Sequence, residues 1–218
     1  MNFEQARFNM IEQQLRPAKV LDPDVLELLF VVKREEFVPP AYRRLAFADT
    51  QIPLGGADGA CMFAPRIEAH ALQALAMNKH ENVLEVGTGS GYMAALLGAH
   101  ADHVWSMEID PQLAEAARAN LQRAGVTNVS VEVGNGLAGA AAHAPYDAVM
   151  VSGAVAAVPQ VLFDQIKPGG RLFAIEGTAP AMQAVLYTRQ GTEFSRVAVF
   201  ETEAASLRDA EPAPAFVF

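Results

Sequence analysis

Cysteine occurs once in the chain, at Cys61, which excludes an intrachain disulfide framework and fits a reducing compartment. Basic residues are also scarce: 16 Lys and Arg stand against 25 Asp and Glu, a formal net charge of -9, and no basic cluster occurs. A non-specific hold on phosphate backbones needs such clusters, so nucleic acid is not an expected partner. Long apolar runs are missing. The longest, Ala148 to Val158, includes Ser152 and Gly153 and stops at Pro159, too short for a bilayer. The start, Met1 to Arg16, carries charged and amide side chains and no apolar signal core. These absences predict a soluble, cytoplasmic protein with no membrane partner, and no metal site is expected. No internal repeat or low-complexity array is present either.

What is there is a chain of 218 residues, 51% hydrophobic, long enough to bury a full core. Apolar Phe3, Met10, Ile11 and Leu15 among Glu, Gln and Arg predict an amphipathic helix over Phe3 to Leu15, ended near Pro17. Asp22-Pro23 offers an N-cap and a first-turn proline for a second helix that fades before Pro39-Pro40. Ala48 to Ala60, with Pro53 and three glycines, reads as irregular or short-stranded loop, and Pro65 opens a helix through Ala76. The pattern then alternates. Strands are expected at Asn82 to Val86, Val104 to Glu108, Val129 to Val133, Ala148 to Val151 and Arg171 to Ile175. Helices are expected at Tyr92 to His100, from Asp110-Pro111 to Gly125, and over Pro159 to Ile166, with a turn at Pro168-Gly169-Gly170. Ala184 to Thr188 and Phe194 to Phe200, separated by Gln190-Gly191, form a hairpin. The class is α/β: a doubly wound, mostly parallel seven-stranded sheet with helices on both faces, a C-terminal antiparallel hairpin and an N-terminal helical extension. Residues 1–78 make that extension and a substrate loop, 79–205 the ligand-binding core, and 206–218 a mobile tail.

The stretch that carries chemistry is Val83 to Tyr92, an apolar strand broken by Gly87-Thr88-Gly89-Ser90-Gly91 and resumed as a helix. In a doubly wound sheet the ligand lies beyond the carboxyl ends of the strands, where glycines let it rest against main-chain N–H groups. Glu108, followed by Ile109, ends the next strand, where an acidic side chain can accept both hydroxyls of a ribose. Two nucleoside ligands compete. A dinucleotide site wants Gly-x-Gly-x-x-Gly, but Tyr92 holds the last of those positions, and Glu85 adds negative charge where a pyrophosphate would be crowded. S-adenosylmethionine carries a sulfonium, an ammonium, a ribose and no phosphate, so charge and spacing favour it. In Gly134-Asn135-Gly136, the Asn135 amide oxygen can accept from the adenine amine and the Gly136 backbone can donate to a ring nitrogen. The same residues also read as a plain Asn-Gly turn, and Tyr146-Asp147 is open between a ligand contact and a turn.

These stretches resemble the class I S-adenosylmethionine-dependent methyltransferases. Val83 to Tyr92 is similar to that family's first motif, Val104 to Asp110 to its acidic second, Val133 to Gly136 to its adenine loop, and Pro145 to Ser152 and Ile166 to Leu172 to later motifs. Within that class the upstream segments Met10 to Leu15, Arg34 to Pro40 and Leu45 to Asp49 resemble the protein-L-isoaspartate O-methyltransferases, a likeness running from about Met10 to about Phe200. The departures fall together. Where that family has Thr-Ile-Ser followed by Gln-Pro or Ala-Pro, its serine treated as the active-site residue, this chain has Cys61-Met62-Phe63-Ala64-Pro65. Phe63 in the serine position has no hydroxyl to donate. Glu201-Thr202-Glu203-Ala204-Ala205-Ser206 is acidic and small where the family has an apolar segment before a proline, and Asn135 replaces the commoner Asp.

The resemblance implies S-adenosylmethionine as cofactor, methyl transfer to an isoaspartyl carboxylate in damaged proteins, and an acceptor that is a protein or peptide. A carboxylate with a pKa of about 3.9 is ionised at neutral pH, so no strong base is needed and positioning supplies most of the rate. No catalytic residue is assigned. Cys61, Met62, Phe63 and Arg66, with His70 nearby, are the candidate acceptor pocket, and nothing in the sequence lowers the Cys61 thiol pKa. Two other readings stay open: transfer to an apolar, aromatic or other small-molecule acceptor walled by Met62 and Phe63, and donor binding without transfer. The oligomeric state is not legible.

Overall fold

The computed structural model describes residues 2–55 and 59–210. Helix α1 (Phe3–Met10) runs on through a wider turn at Ile11–Leu15, burying Met10, Ile11 and Leu15. Helix α2 (Pro23–Val31) starts as the sequence predicts: Asp22 Oδ1 accepts from the Asp24 and Val25 amides, and Pro23 occupies the first turn. Two short strands, β1 (Ile52–Pro53) and β2 (Cys61–Met62), pair antiparallel within the expected loop. Helix α3 (Pro65–Leu75) follows and ends at left-handed Ala76.

The remaining elements are strand β3 (Asn82–Val86), helix α4 (Tyr92–His100), strand β4 (His103–Glu108), helix α5 (Pro111–Arg123), strands β5 (Val129–Val133) and β6 (Tyr146–Val155), helix α6 (Gln160–Asp164), and strands β7 (Ile166–Thr178), β8 (Ala181–Gln190) and β9 (Glu193–Glu201). The seven-stranded sheet has the order β5-β4-β3-β6-β7-β8-β9, parallel from β5 to β7 and antiparallel beyond. Alternate side chains sort by face. Val83, Val104, Val131, Met150, Phe173 and Ile175 face a core shared with α3, α4, α5 and the N-terminal helices. Leu84, Val86, Val149, Val151, Leu172 and Ala174 face a second core on the side of α6. The chain order reverses at β3, with β4 and β5 to one side and β6 to the other, so the ligand crevice of this topology opens at the β3 loop.

Several boundaries differ from the sequence expectation, β7, β8 and β9 each running longer at both ends. β6 extends well beyond Ala148 to Val151 because it pairs with both β3 and β7, and a register shift between Met150 and Ala154 accommodates Ser152 and Gly153. α6 is shorter than Pro159 to Ile166, since Ile166 already pairs with Tyr146. The expected turn at Pro168-Gly169-Gly170 is an irregularity inside β7, whose pairing with β6 jumps from Ile166 to Arg171. Of the segment expected to be mobile, Ser206 to Ala210 is tied down: Ser206 bridges Ala154, and the Leu207 amide donates to Ala154 O at 2.9 Å. The tail's apolar end, 216–218, lies outside the described residues. Among those residues, no helix is long and apolar enough to cross a membrane.

Candidate active site

A cavity opens at the carboxyl ends of β3, β4 and β6, between the glycine loop and the loop carrying β1 and β2. Gly87, Gly89 and Gly91 all have positive φ (93°, 53° and 83°), a path that L side chains rarely follow, which is why the strand can turn so abruptly into α4. Gly87, Thr88, Gly89 and Ser90 line the cavity. Gly91 does not. It lets α4 approach α5, since a Cβ there would stand 3.3 Å from both Ala117 and Leu121.

Glu108 lines the cavity and is 5% exposed. Its two oxygens accept from the Gly89 amide at 2.8 Å and the Asp110 amide at 3.0 Å. A carboxylate offers about four lone-pair sites, so capacity remains for a pair of hydroxyls. Ile109 lies beside it, and Asn135 and Gly136 close that end of the cavity with Leu137. The Asn135 amide oxygen, expected to receive an adenine amine, already accepts from the Leu137 amide at 2.9 Å, leaving one lone pair and the amide N–H groups for a ligand. Gly136 is required on packing grounds: a Cβ would meet Val86 Cγ1 at 2.7 Å and Met107 Cβ at 2.9 Å.

Glu85 departs from expectation. It lies fully buried behind the cavity rather than lining it, its oxygens accepting from the Ser106 and Ser152 hydroxyls at 2.5 and 2.9 Å. Burial pushes its carboxyl up to about 8, so at neutral pH it carries a proton and adds no full charge to the site. Its influence reaches the cavity through hydroxyls: Ser152 lines it directly, and Thr88 Oγ1 lies 2.6 Å from Ser106 Oγ. Tyr146 and Asp147 do not line the cavity; Tyr146 is buried and its hydroxyl donates to Ala140 O at 2.6 Å. Asp147 accepts from the Asn82 amide and Lys167 Nζ at the opposite, amino-terminal end of the strands.

On the facing wall stand Cys61, Met62 and Phe63, together with Leu54 and Glu68. Burial raises the Cys61 thiol pKa, the direction opposite to that of a nucleophile. Phe63 lines the cavity and packs with the core, while its carbonyl accepts from Arg34 Nη2 at 2.6 Å. Arg34, 1% exposed, also donates to Ala46 O at 2.8 Å and pairs with Glu68, whose carboxyl is raised by burial to about 7 against the pull of that guanidinium. One buried cation therefore fixes the loop, the N-terminal helices and α3 together. Arg66 is absent from this wall. It pairs with Asp49 at 3.2 Å over Phe200 and opens on a separate cleft with Glu176 and Met182. His70 lies against Phe200, its ring tilted by 36° at 4.6 Å, and is also outside the cavity.

Sequence reasoning missed Glu68, Ser152 and the segment Ala205 to Arg208, all of which line the cavity. Ser152 had a readable signal, a hydroxyl near the carboxyl end of a strand next to β3. Glu68 and the C-terminal segment had none, because only the tertiary fold brings them here.

The arrangement suits a ligand with a ribose and a hydrogen-bonding base, held against bare backbone and next to an apolar acceptor wall. The sequence model of the protein-L-isoaspartate(D-aspartate) O-methyltransferase family matches residues 5–201. The protein-L-isoaspartate O-methyltransferase of Methanoculleus marisnigri is 42% identical over 186 residues, 85% of this chain and 84% of its own length. A second enzyme of that name, from Marinobacter nauticus, is 38% identical over 94% of this chain and 90% of its own. A solved protein-L-isoaspartate O-methyltransferase superposes with a TM-score of 0.78 at 25% identity, covering 92% of this chain and 65% of that one. A Plasmodium falciparum structure, described as a complex of such a protein with S-adenosyl-L-homocysteine, shares the fold with a TM-score of 0.77 at 18% identity, covering 95% and 99%. With a family match over most of its length and relatives this similar, the chain belongs to the protein-L-isoaspartate(D-aspartate) O-methyltransferase family.

Proposed function

We propose that this chain transfers the methyl group of S-adenosylmethionine to the free carboxylate of isoaspartyl residues in protein or peptide acceptors. The observation that carries the reading is the Gly87–Gly91 loop facing Glu108 in a cavity whose other wall is the Phe63 loop, in a chain matched to the family over residues 5–201. S-adenosylmethionine supplies, when bound, an electrophilic methyl on sulfur. Glu108 would receive its ribose hydroxyls, Ile109, Asn135 and Gly136 would hold its base, and Gly87, Gly89 and Ser152 would hold the rest. The acceptor carboxylate is anionic at neutral pH with a pKa of about 3.9, so the protein need not remove a proton. Its task is alignment, and water exclusion by Leu54, Met62 and Phe63 strengthens the attraction between an anionic oxygen and a cationic sulfur. As a carbon–oxygen bond forms, the carbon–sulfur bond breaks, giving a methyl ester and S-adenosylhomocysteine.

Phe63 favours a second acceptor chemistry. Phe63, 5% exposed, lines the wall at the position where the family resemblance implies a serine, which suits an apolar or aromatic acceptor. Labelled S-adenosylmethionine offered with matched isoaspartyl and aspartyl peptides separates the two. Transfer to the isoaspartyl peptide alone supports the reading. A wild type that binds S-adenosylhomocysteine yet transfers nothing to either peptide sinks it, and turnover appearing only in Phe63→Ser would identify the ring as the block.

A further inference from the structure

The family match ends at Glu201, and the residues just after it return across the carboxyl edge of the sheet. Ala205 O accepts from the Ala154 amide at 2.9 Å, and the Leu207 amide donates to Ala154 O at 2.9 Å, a short parallel bridge on β6 past the end of its pairing with β3, at a residue that also partners Ile175 of β7. The Ala205 amide donates to Gln51 Oε1 at 2.8 Å, tying the segment to the loop that precedes β1. Leu207 then crosses to the glycine loop. A Cβ placed on Gly153 would lie 2.5 Å from Leu207 Cδ2, and one on Gly87 would lie 2.8 Å from the same atom. The leucine therefore sits in a notch that exists only because both positions are glycine. Past it, Arg208 pairs with Asp110 at 3.6 Å, on the far side of Glu108. The segment thus spans the ends of β6, β3 and β4 in turn, and all of Ala205 to Arg208 line the cavity. Among the described residues that line it, Arg208 is the one basic side chain, set against the carboxyls of Glu68, Glu108 and Asp110.

We propose that Ser206-Leu207-Arg208 is a strap forming the outer wall of the methyl-donor site, with Leu207 as its anchor. The inference rests on the donor reading above. A ligand lying along the glycine loop toward Glu108 passes beneath this segment, so the donor enters and the product leaves when Leu207 lifts from its notch. The Arg208–Asp110 pair adds less, because a half-exposed ion pair at this separation is screened by water and salt.

The test is stopped-flow release of S-adenosylhomocysteine from the full chain, paired with hydrogen exchange at the strap amides. Leu207→Ala, which empties the notch, should speed release by about tenfold or more. Gly153→Ala, whose methyl evicts the leucine, should do the same. The Gly153→Ala/Leu207→Ala double variant should release no faster than Leu207→Ala alone, since both act on one contact. Arg208→Ala should change release by less than about threefold. The Leu207 amide should exchange more slowly with ligand bound. Unchanged release from a folded Leu207→Ala protein, or exchange at Leu207 indifferent to ligand, overturns the strap while leaving the donor reading intact. Failure of the wild type to bind S-adenosylhomocysteine overturns both.

Discussion

Replacing Glu85 by Gln should remove a large, signed pH dependence from the protein's stability. Glu85 is fully buried, and desolvation raises its carboxyl from the ordinary 4.5 to about 8, opposed by the Ser106 and Ser152 hydroxyl bonds and reinforced by the charges of Glu108 and Glu68. The folded protein keeps a proton that the unfolded chain releases. Stability from Glu85 is therefore complete below pH 4.5 and is lost as pH rises toward about 8, where the buried group must ionise. At about 1.4 kcal/mol for each tenfold change in proton affinity, the gap gives an upper bound of about 5 kcal/mol. Gln keeps the shape and can bond both serines without titrating. Denaturant unfolding at intervals between about pH 5 and about pH 9, for both proteins, isolates the contribution as a difference. That difference should move against the wild type by several kcal/mol across the window. A flat difference would refute the buried, protonated carboxyl, and a change of opposite sign would mean that Glu85 is ionised and paired.

Two further substitutions probe the site. Glu108→Ala removes the acceptor for the ribose and leaves the Gly89 and Asp110 amides without their partner. Calorimetric titration with S-adenosylhomocysteine should show affinity weaker by about a hundredfold or more, since hydrogen bonds to a charged group contribute about 1.5–3 kcal/mol each. Undiminished affinity would remove Glu108 from the donor site. Arg34→Met strands the Glu68 carboxyl in the interior and frees the Phe63 carbonyl. Thermal or denaturant unfolding should report a loss of about 3–5 kcal/mol, and a loss within experimental scatter would contradict the role of Arg34 as the loop's anchor.

The donor half of the site was legible because its requirements are local. Positive φ at Gly87 and Gly89 calls for glycine, and an acid ending the next strand follows from strand order. Asp22 and Asp110 announce their helices through a cap and a following proline, also a local arrangement. Glu85 reads from the sequence as a negative charge at the ligand site, although a parallel strand covered on both faces leaves a mid-strand carboxylate nowhere to meet water. Arg66, adjacent to the loop in sequence, turns away from it, whereas Arg34, far upstream, holds it. The strap was illegible for the same reason. Ala205 to Arg208 has no periodicity, and its meaning depends on two glycines, Gly87 and Gly153, placed opposite it by β3 and β6.

Methyl transfer to an isoaspartyl carboxylate is expected of this site with Phe63 in place. Incubation of the wild-type chain with methyl-labelled S-adenosylmethionine and an isoaspartyl peptide, followed by release of base-labile label, measures that directly. Label released from the isoaspartyl peptide and absent with its aspartyl twin is the predicted result. No label in either, from protein shown to bind S-adenosylhomocysteine, would contradict it.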